Sequence, residues 1–200
     1  MVTGDDVDEA STAEASDASV LKWTDKPLLV YVCADGTCED AEKFESLTLK
    51  NDKVALGTRA FRCLRMTPEE VLEEPVLADA GKTVPRLVFL DPVKMKTKVV
   101  ETKDLKASKV FKTMKSSAAS FWKEKLDGLV KKHLKLLTEQ DGIVNAQKTL
   151  AGKQARAEEG SAKAKKIDAE LAELEQELED VTKAQVELWK LTAKHKPDTA

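Results

Sequence analysis

Two short apolar segments, well separated along the chain, constrain its fold more than any other feature. Leu28-Leu29-Val30-Tyr31-Val32-Cys33 runs straight into Ala34-Asp35-Gly36-Thr37-Cys38. An unbroken apolar run of this length reads as a strand covered on both faces, as in the middle of a parallel arrangement. Asp35-Gly36 then marks a tight turn, with Asp35 suited to cap a following helix by accepting from the amides near Thr37 and Cys38. The second segment is Thr83-Val84-Pro85-Arg86-Leu87-Val88-Phe89-Leu90-Asp91-Pro92. It is an apolar strand opened by a proline, a residue that sheets tolerate at a strand's first position.

The residues around these segments fill in an α/β pattern. Val20-Leu21-Lys22-Trp23 reads as a short edge strand or an anchoring turn. A helix is expected over 38–50, with Ala41, Phe44, Leu47 and Thr48 spaced for one buried face. Gly57 punctuates the turn before a strand over 60–66. Its alternation sets Ala60, Arg62, Leu64 and Met66 against Phe61, Cys63 and Arg65. Cys63 is expected in the core. Thr67-Pro68-Glu69-Glu70 is a strong helix start, combining a hydroxyl cap, proline at the first helical position and acids in the first turn. The strand from Pro85 to Leu90 and another over 96–101 are separated by Asp91–Met95, a length that suits a hairpin. The order gives a parallel pair plus an antiparallel pair, with helices on both faces.

From about Leu105 the pattern is helical to the end. Phe121 or Trp122, Leu126, Leu129, Val130, His133, Leu134 and Leu137 keep one stripe, which Asp141-Gly142 interrupts weakly before Val144, Leu150 and Ala151. Gly160-Ser161 is the best break. Beyond it Ile167, Leu171, Leu174, Leu178, Val181, Gln185 and Leu188 step by four and three, a heptad seam. Two long helices with matching stripes predict an antiparallel helical hairpin, with Trp122 and Trp189 packing its base and tip. The alternative is that the last helix forms a coiled coil with a second copy, giving a homodimer.

A strand, a turn at a helix N-terminus and a Val-Pro strand together resemble the thioredoxin-like family. The resemblance covers roughly residues 26 to 112. It implies that Val84-Pro85 is a cis-proline site facing the Asp35–Cys38 turn, and that the turn and this proline form a groove for extended partners. Where the family carries Cys-x-x-Cys, this chain has Asp35-Gly36-Thr37-Cys38. Dithiol chemistry needs an exposed attacking thiolate and a second sulfur to resolve the mixed disulfide. On the family motif Cys38 matches the second cysteine and Asp35 stands in place of the first. Cys33 is the one other sulfur close in sequence, at Cys-x4-Cys spacing. Arg86, where the family often has threonine, either pairs with Asp35 or an acidic partner, or is a solvated strand-end residue.

The predicted architecture is therefore an acidic, disordered tail over 1–19 and a thioredoxin-like domain over 20–112. A coiled-coil-type helical hairpin follows over 113–195, with a short tail over 196–200. The tail reading rests on six acids and no Lys or Arg in the first twenty residues, leaving 33 bases against 30 acids in the rest. Residues 94 to 135 hold thirteen lysines against four acids. Arginine is absent from that run and its aromatics look like core, so nucleic-acid binding is not expected. His133 and His195 have no Cys or second His at ligand spacing, so no metal site is expected, and nothing calls for a cofactor. No stretch is long and apolar enough for a membrane span. With three cysteines and no visible secretory signal, free thiols in the cytoplasm are the expectation.

Functionally, the missing attacking cysteine predicts a noncatalytic interaction or scaffold protein. Its groove would comprise Asp35, Gly36, Thr37, Val84, Pro85 and Arg86, and its helical arm offers a second binding surface. The enzyme alternative is a thiol-disulfide oxidoreductase or redox sensor using Cys38, with Cys33.

Overall fold

The structure is a computed structural model that describes residues 25–34 and 39–194. The acidic tail, Val20–Trp23, the Asp35–Cys38 turn, His195 and the last five residues lie outside them.

β1 (Leu28–Val32) is the apolar run, and it sits inside a four-stranded sheet of order β2-β1-β3-β4. β2 (Arg62–Met66) runs parallel to it, pairing Val30 with Leu64 and Val32 with Met66. β3 (Arg86–Asp91) is antiparallel to β1, pairing Val30 with Val88 and Val32 with Arg86. β4 (Lys96–Val100) completes a hairpin with β3. Every residue of β3 is buried, as the unbroken apolar run predicts for a strand with neighbours on both sides and layers on both faces.

Period-two alternation divides the core into two layers. Leu28, Val30, Val32, Val88 and Leu90 face α3 (Pro68–Glu73) and the turn after it, meeting Val71, Leu77 and Ala80. Leu29, Leu87, Phe89 and Val100 face the other way, toward Phe44, Val54, Val110, Met114 and Ala118. α3 begins as its sequence demands. Thr67 accepts from the Glu70 amide at 3.2 Å while Glu70 accepts from the Thr67 amide at 2.7 Å, a complete capping box.

The helix expected over 38–50 is less regular. α1 (Glu39–Lys43) continues as a π-helix through Phe44–Leu49. The wider turn rotates the later residues, so Phe44 and Thr48 are buried while Leu47 is 73% exposed, outside the predicted face. Thr48 donates to the Leu105 carbonyl at 2.7 Å. Gly57 does not end a strand-forming turn. It closes a helix that the sequence pattern leaves unmarked, α2 (Asp52–Gly57), capped by the Asn51 side chain. A Cβ at Gly57 would lie 2.9 Å from the Met114 terminal carbon, so the missing side chain lets α2 approach α4 (Ala107–Phe121). Cys63 is exposed rather than core, its sulfur 3.8 Å from the Thr58 carbonyl oxygen.

α4 passes unbroken through residues 112 and 113, where the sequence reading sets a domain boundary. Its buried face, Val110, Phe111, Met114, Ala118 and Phe121, packs on the sheet. The apolar stripe that continues past Trp122 hides a break: α5 starts only at Leu126 and runs to Gln154. α6 (Ala162–Glu187) follows a turn in which Gly160 has φ 75° and the Ser161 hydroxyl caps the helix by accepting from the Ala164 amide. α5 and α6 run antiparallel along each other. Gln154 meets Asp168, Gln140 accepts from Gln185 at 2.8 Å, and His133 meets Trp189. Ile167 and Val181 are the most buried of the predicted seam, with Ile143 buried opposite rather than Ala151, which is exposed. Asp141-Gly142 does not interrupt α5.

Both tryptophans sit at the base of this arm. Trp122 is 5% exposed and its indole N–H donates to the Ala60 carbonyl at 2.9 Å. Leu126 and Val130 belong to the sheet's own core layer, and Leu134, Leu137, Trp189 and Leu191 pack against it. Trp189 is not at the tip, because α6 returns to the base before it ends.

His133, buried in this base, accepts at Nδ1 from the Trp189 indole N–H at 3.1 Å. That bond needs the neutral ring. Burial, with the Arg59 guanidinium nearby, holds the imidazole below its usual range. The unfolded chain, with an ordinary value of about 6.5, therefore takes up a proton before the folded one does. Stability is expected to be full above that value and to fall as pH drops below it. Urea denaturation at pH 7.5, 6.5 and 5.5 checks this. The midpoint should decline, and His133→Leu should flatten the part of the decline due to this ring.

Candidate functional site

The site is built where β1 ends. The last ladder pair joins Val32 to Arg86, which brings Pro85 to the strand end from which residues 35–38 depart. The Val84-Pro85 peptide is cis. Pro85 is buried, Val84 half-buried, and the Pro85 carbonyl accepts from the Thr102 hydroxyl at 2.7 Å. Asp35, Gly36, Thr37 and Cys38 lie outside the described residues; of the residues expected to form a groove, the structure describes Val84, Pro85 and Arg86.

Cys33 is the described thiol at this end. It is 3% exposed, its amide donates to the Met66 carbonyl at 3.1 Å, and its Sγ accepts from Arg65 Nε at 2.9 Å. Tyr31, two residues earlier on the same face, pairs across the sheet with Arg65 and donates its hydroxyl to Glu45 Oε1 at 3.3 Å. Its ring lies 5.1 Å from that of Phe44. Burial, then the neighbouring Cys33 and Glu45, push the Tyr31 phenol well above its usual range, so it stays protonated and acts as a donor. The bond to Cys33 raises the Arg65 guanidinium further, so it is a permanent cation here. The result is a row of sulfur, guanidinium, phenol and carboxylate along the α1 side of the sheet.

Sequence reasoning finds Cys33 but misses Tyr31, Arg65 and Glu45. A signal existed: Tyr31 is the one polar side chain in the apolar run, and Arg65 faces it once β1 and β2 are paired in parallel.

Arg86 corrects the expectation of a solvated strand-end arginine. The residue is 4% exposed on the α3 face, opposite to Cys33, where Nε donates to the Ala80 carbonyl at 2.8 Å and a terminal nitrogen to the Thr83 carbonyl at 2.9 Å. Burial lowers its guanidinium from the ordinary value while Glu101 opposes that. Glu101 in turn accepts from the Thr83 amide at 3.3 Å and from the Thr83 hydroxyl. Arg86 and Glu101 thus clamp the segment that delivers Val84-Pro85 to the strand end.

No helix among the described residues is long and apolar enough to cross a membrane. No protein-family model, curated protein or solved structure matches the chain.

Proposed function

We propose that the α/β part is a thioredoxin-like domain that binds a protein partner without dithiol catalysis, and that the α5–α6 pair is a coiled-coil arm offering a second contact surface. The observation that carries this reading is the placement of Val84-Pro85 at the start of β3, beside the end of β1. The strand order β2-β1-β3-β4, with one parallel pair and helices on both faces, supports the same fold. The chemistry follows from the residues: with Asp35 at the attacking position, a mixed disulfide has no nucleophile to start it. A groove between the turn and Pro85 would then retain binding and lose turnover. A homodimer through the arm belongs to the same proposal, in which the α6 heptad seam would exchange α5 for a second copy.

A second reading is favoured by one specific contact. The Arg65 guanidinium on Cys33 Sγ is the kind of electropositive neighbour found at reactive thiols. In that reading Cys33 and Cys38 give up two protons and two electrons to a disulfide oxidant such as oxidised glutathione and form a bridge.

One experiment separates them. The native chain is expected to reduce an insulin-type disulfide no faster than dithiothreitol alone. Asp35→Cys is expected to create, with Cys38, a dithiol that oxidised glutathione closes and dithiothreitol reopens, read by thiol counting and mass mapping. Turnover by the native chain, or a mapped Cys33–Cys38 bridge, would replace the noncatalytic reading with the redox one.

A further inference from the structure

The lysine-rich run contains a built cavity. β4 carries Lys96 and Lys98 two residues apart, opposite Asp91 and Phe89, so both side chains leave the sheet on the α4 side. With Lys94 from the hairpin turn they border a groove of about 230 Å³ against Ser117 and Ser120 of α4. Lys94 Nζ donates to the Ser120 carbonyl at 3.4 Å and Lys98 Nζ to the Ser116 hydroxyl at 3.0 Å. Neither has a carboxylate within ion-pairing distance among the described residues, and Lys96 has no partner among them.

The one acid in the groove is already engaged. Asp91 is buried; Oδ1 accepts from the Val93 amide at 3.2 Å and the Lys94 amide at 3.1 Å, and Oδ2 from the Ser120 hydroxyl at 2.8 Å. Asp91 fixes the turn that presents the lysines, and three cations face one carboxylate. An independent observation points the same way. Ser117 is 8% exposed, and its hydroxyl is a buried side-chain oxygen with no hydrogen-bond partner. Buried hydroxyls are nearly always paired, and leaving one unpaired is costly. Thr113 and Ser116 on the same helix satisfy theirs on the Lys109 and Thr113 carbonyls. Among the described residues only Ser117 keeps an unpartnered buried hydroxyl, and it lines the same groove as Lys94, Lys96 and Lys98.

We propose that this groove binds a phosphate dianion, free or as a small monoester, with Lys96 and Lys98 neutralising its charge and Ser117 donating to it. The site is independent of the Cys33–Pro85 end. Ammonium groups with a preset hydroxyl fit a compact, multiply charged oxyanion better than a planar carboxylate, because they approach it as point charges from several directions.

The test is titration of the full chain with inorganic phosphate and with glycerol phosphate, at constant ionic strength against sodium chloride, followed by amide chemical shifts. Saturable shifts confined to residues 93–98 and 116–120 are expected. Saturation by both ligands, or by glycerol phosphate alone, distinguishes the free ion from an esterified ligand. Lys96→Gln with Lys98→Gln, at exposed positions that leave the core intact, should weaken binding about tenfold or more. Ser117→Ala should weaken phosphate binding while keeping or raising the ligand-free melting temperature, because it removes an unpaired buried hydroxyl. Shifts that match sodium chloride alone, that fail to saturate, or that survive the double substitution overturn the proposal.

Discussion

Trp122→Ala is expected to lower the stability of the whole chain, not of the arm alone, by about 3–5 kcal/mol, the range for deleting a large buried aromatic side chain. The indole fills the junction where α4 ends, stacks edge-on against Phe121 at 4.7 Å between centroids, and satisfies the Ala60 carbonyl. Removing it leaves a cavity and an orphaned buried acceptor together. Because Leu126 and Val130 lie in the same core layer as Leu29 and Phe89, the loss is shared by both parts. Urea denaturation should show one transition shifted to lower denaturant, by circular dichroism and by fluorescence alike. Two separated transitions in the wild type would show instead that the arm folds independently.

Val181→Asp should have an effect of similar size but different reach. Val181 is 7% exposed on α6, outside both core layers of the sheet, in a seam whose other deeply buried members are Ile143 and Ile167. An ionised carboxylate there has no cation among the buried seam residues, and burying an unpaired charge costs several kcal/mol or forces local opening. The distal arm should open and far-UV helicity should fall, while the α/β part keeps its thermal transition. An isolated helix gains little from propensity alone, so losing the seam means losing the helix. Sedimentation at several concentrations adds a second answer. A wild-type dimer abolished by Val181→Asp would make the seam intermolecular, whereas a monomer in both cases leaves it within one chain.

Local signals were legible where a single residue's chemistry decides the structure. Thr67-Pro68 with Glu70 announced α3, Gly160-Ser161 announced the turn of the arm, and the run Leu28–Val32 announced a strand with both faces covered. What was not legible depends on partners distant in sequence. The break between α4 and α5 has no glycine or proline. It is made by the returning chain after α6: Lys123 N–H donates to the Thr192 carbonyl at 2.9 Å, and Lys194 N–H to the Phe121 carbonyl at 2.8 Å. Glu124 accepts from the Thr192 amide at 3.0 Å. No periodicity in residues 116–137 can show that competition. Arg86 is similar: a lone arginine opening a strand looks solvated until the carbonyls of Ala80 and Thr83 turn up around it. At the candidate site, Cys33 and Val84-Pro85 could be read from the chain. The row through Arg65, Tyr31 and Glu45 required knowing that β2 lies parallel to β1.

The clustering of Trp122 and Trp189 at one end of the arm also governs how the molecule will look to light. Neither indole lies near the Gly160 turn, so near-ultraviolet signals from these two report the junction and pass over the outer turns of α5 and α6. Far-ultraviolet dichroism weights those outer turns heavily, since the two helices contribute 29 and 26 residues. Should the outer turns fray first on warming, amide ellipticity would begin to drop while indole emission held steady. Hydrogen exchange along α5 would then rise toward Gln154, with the slowest amides near Val130. An early drop in ellipticity on warming, with indole emission unchanged, would therefore report fraying at the far end of the arm, as distinct from the two full transitions that an independently folding arm would show.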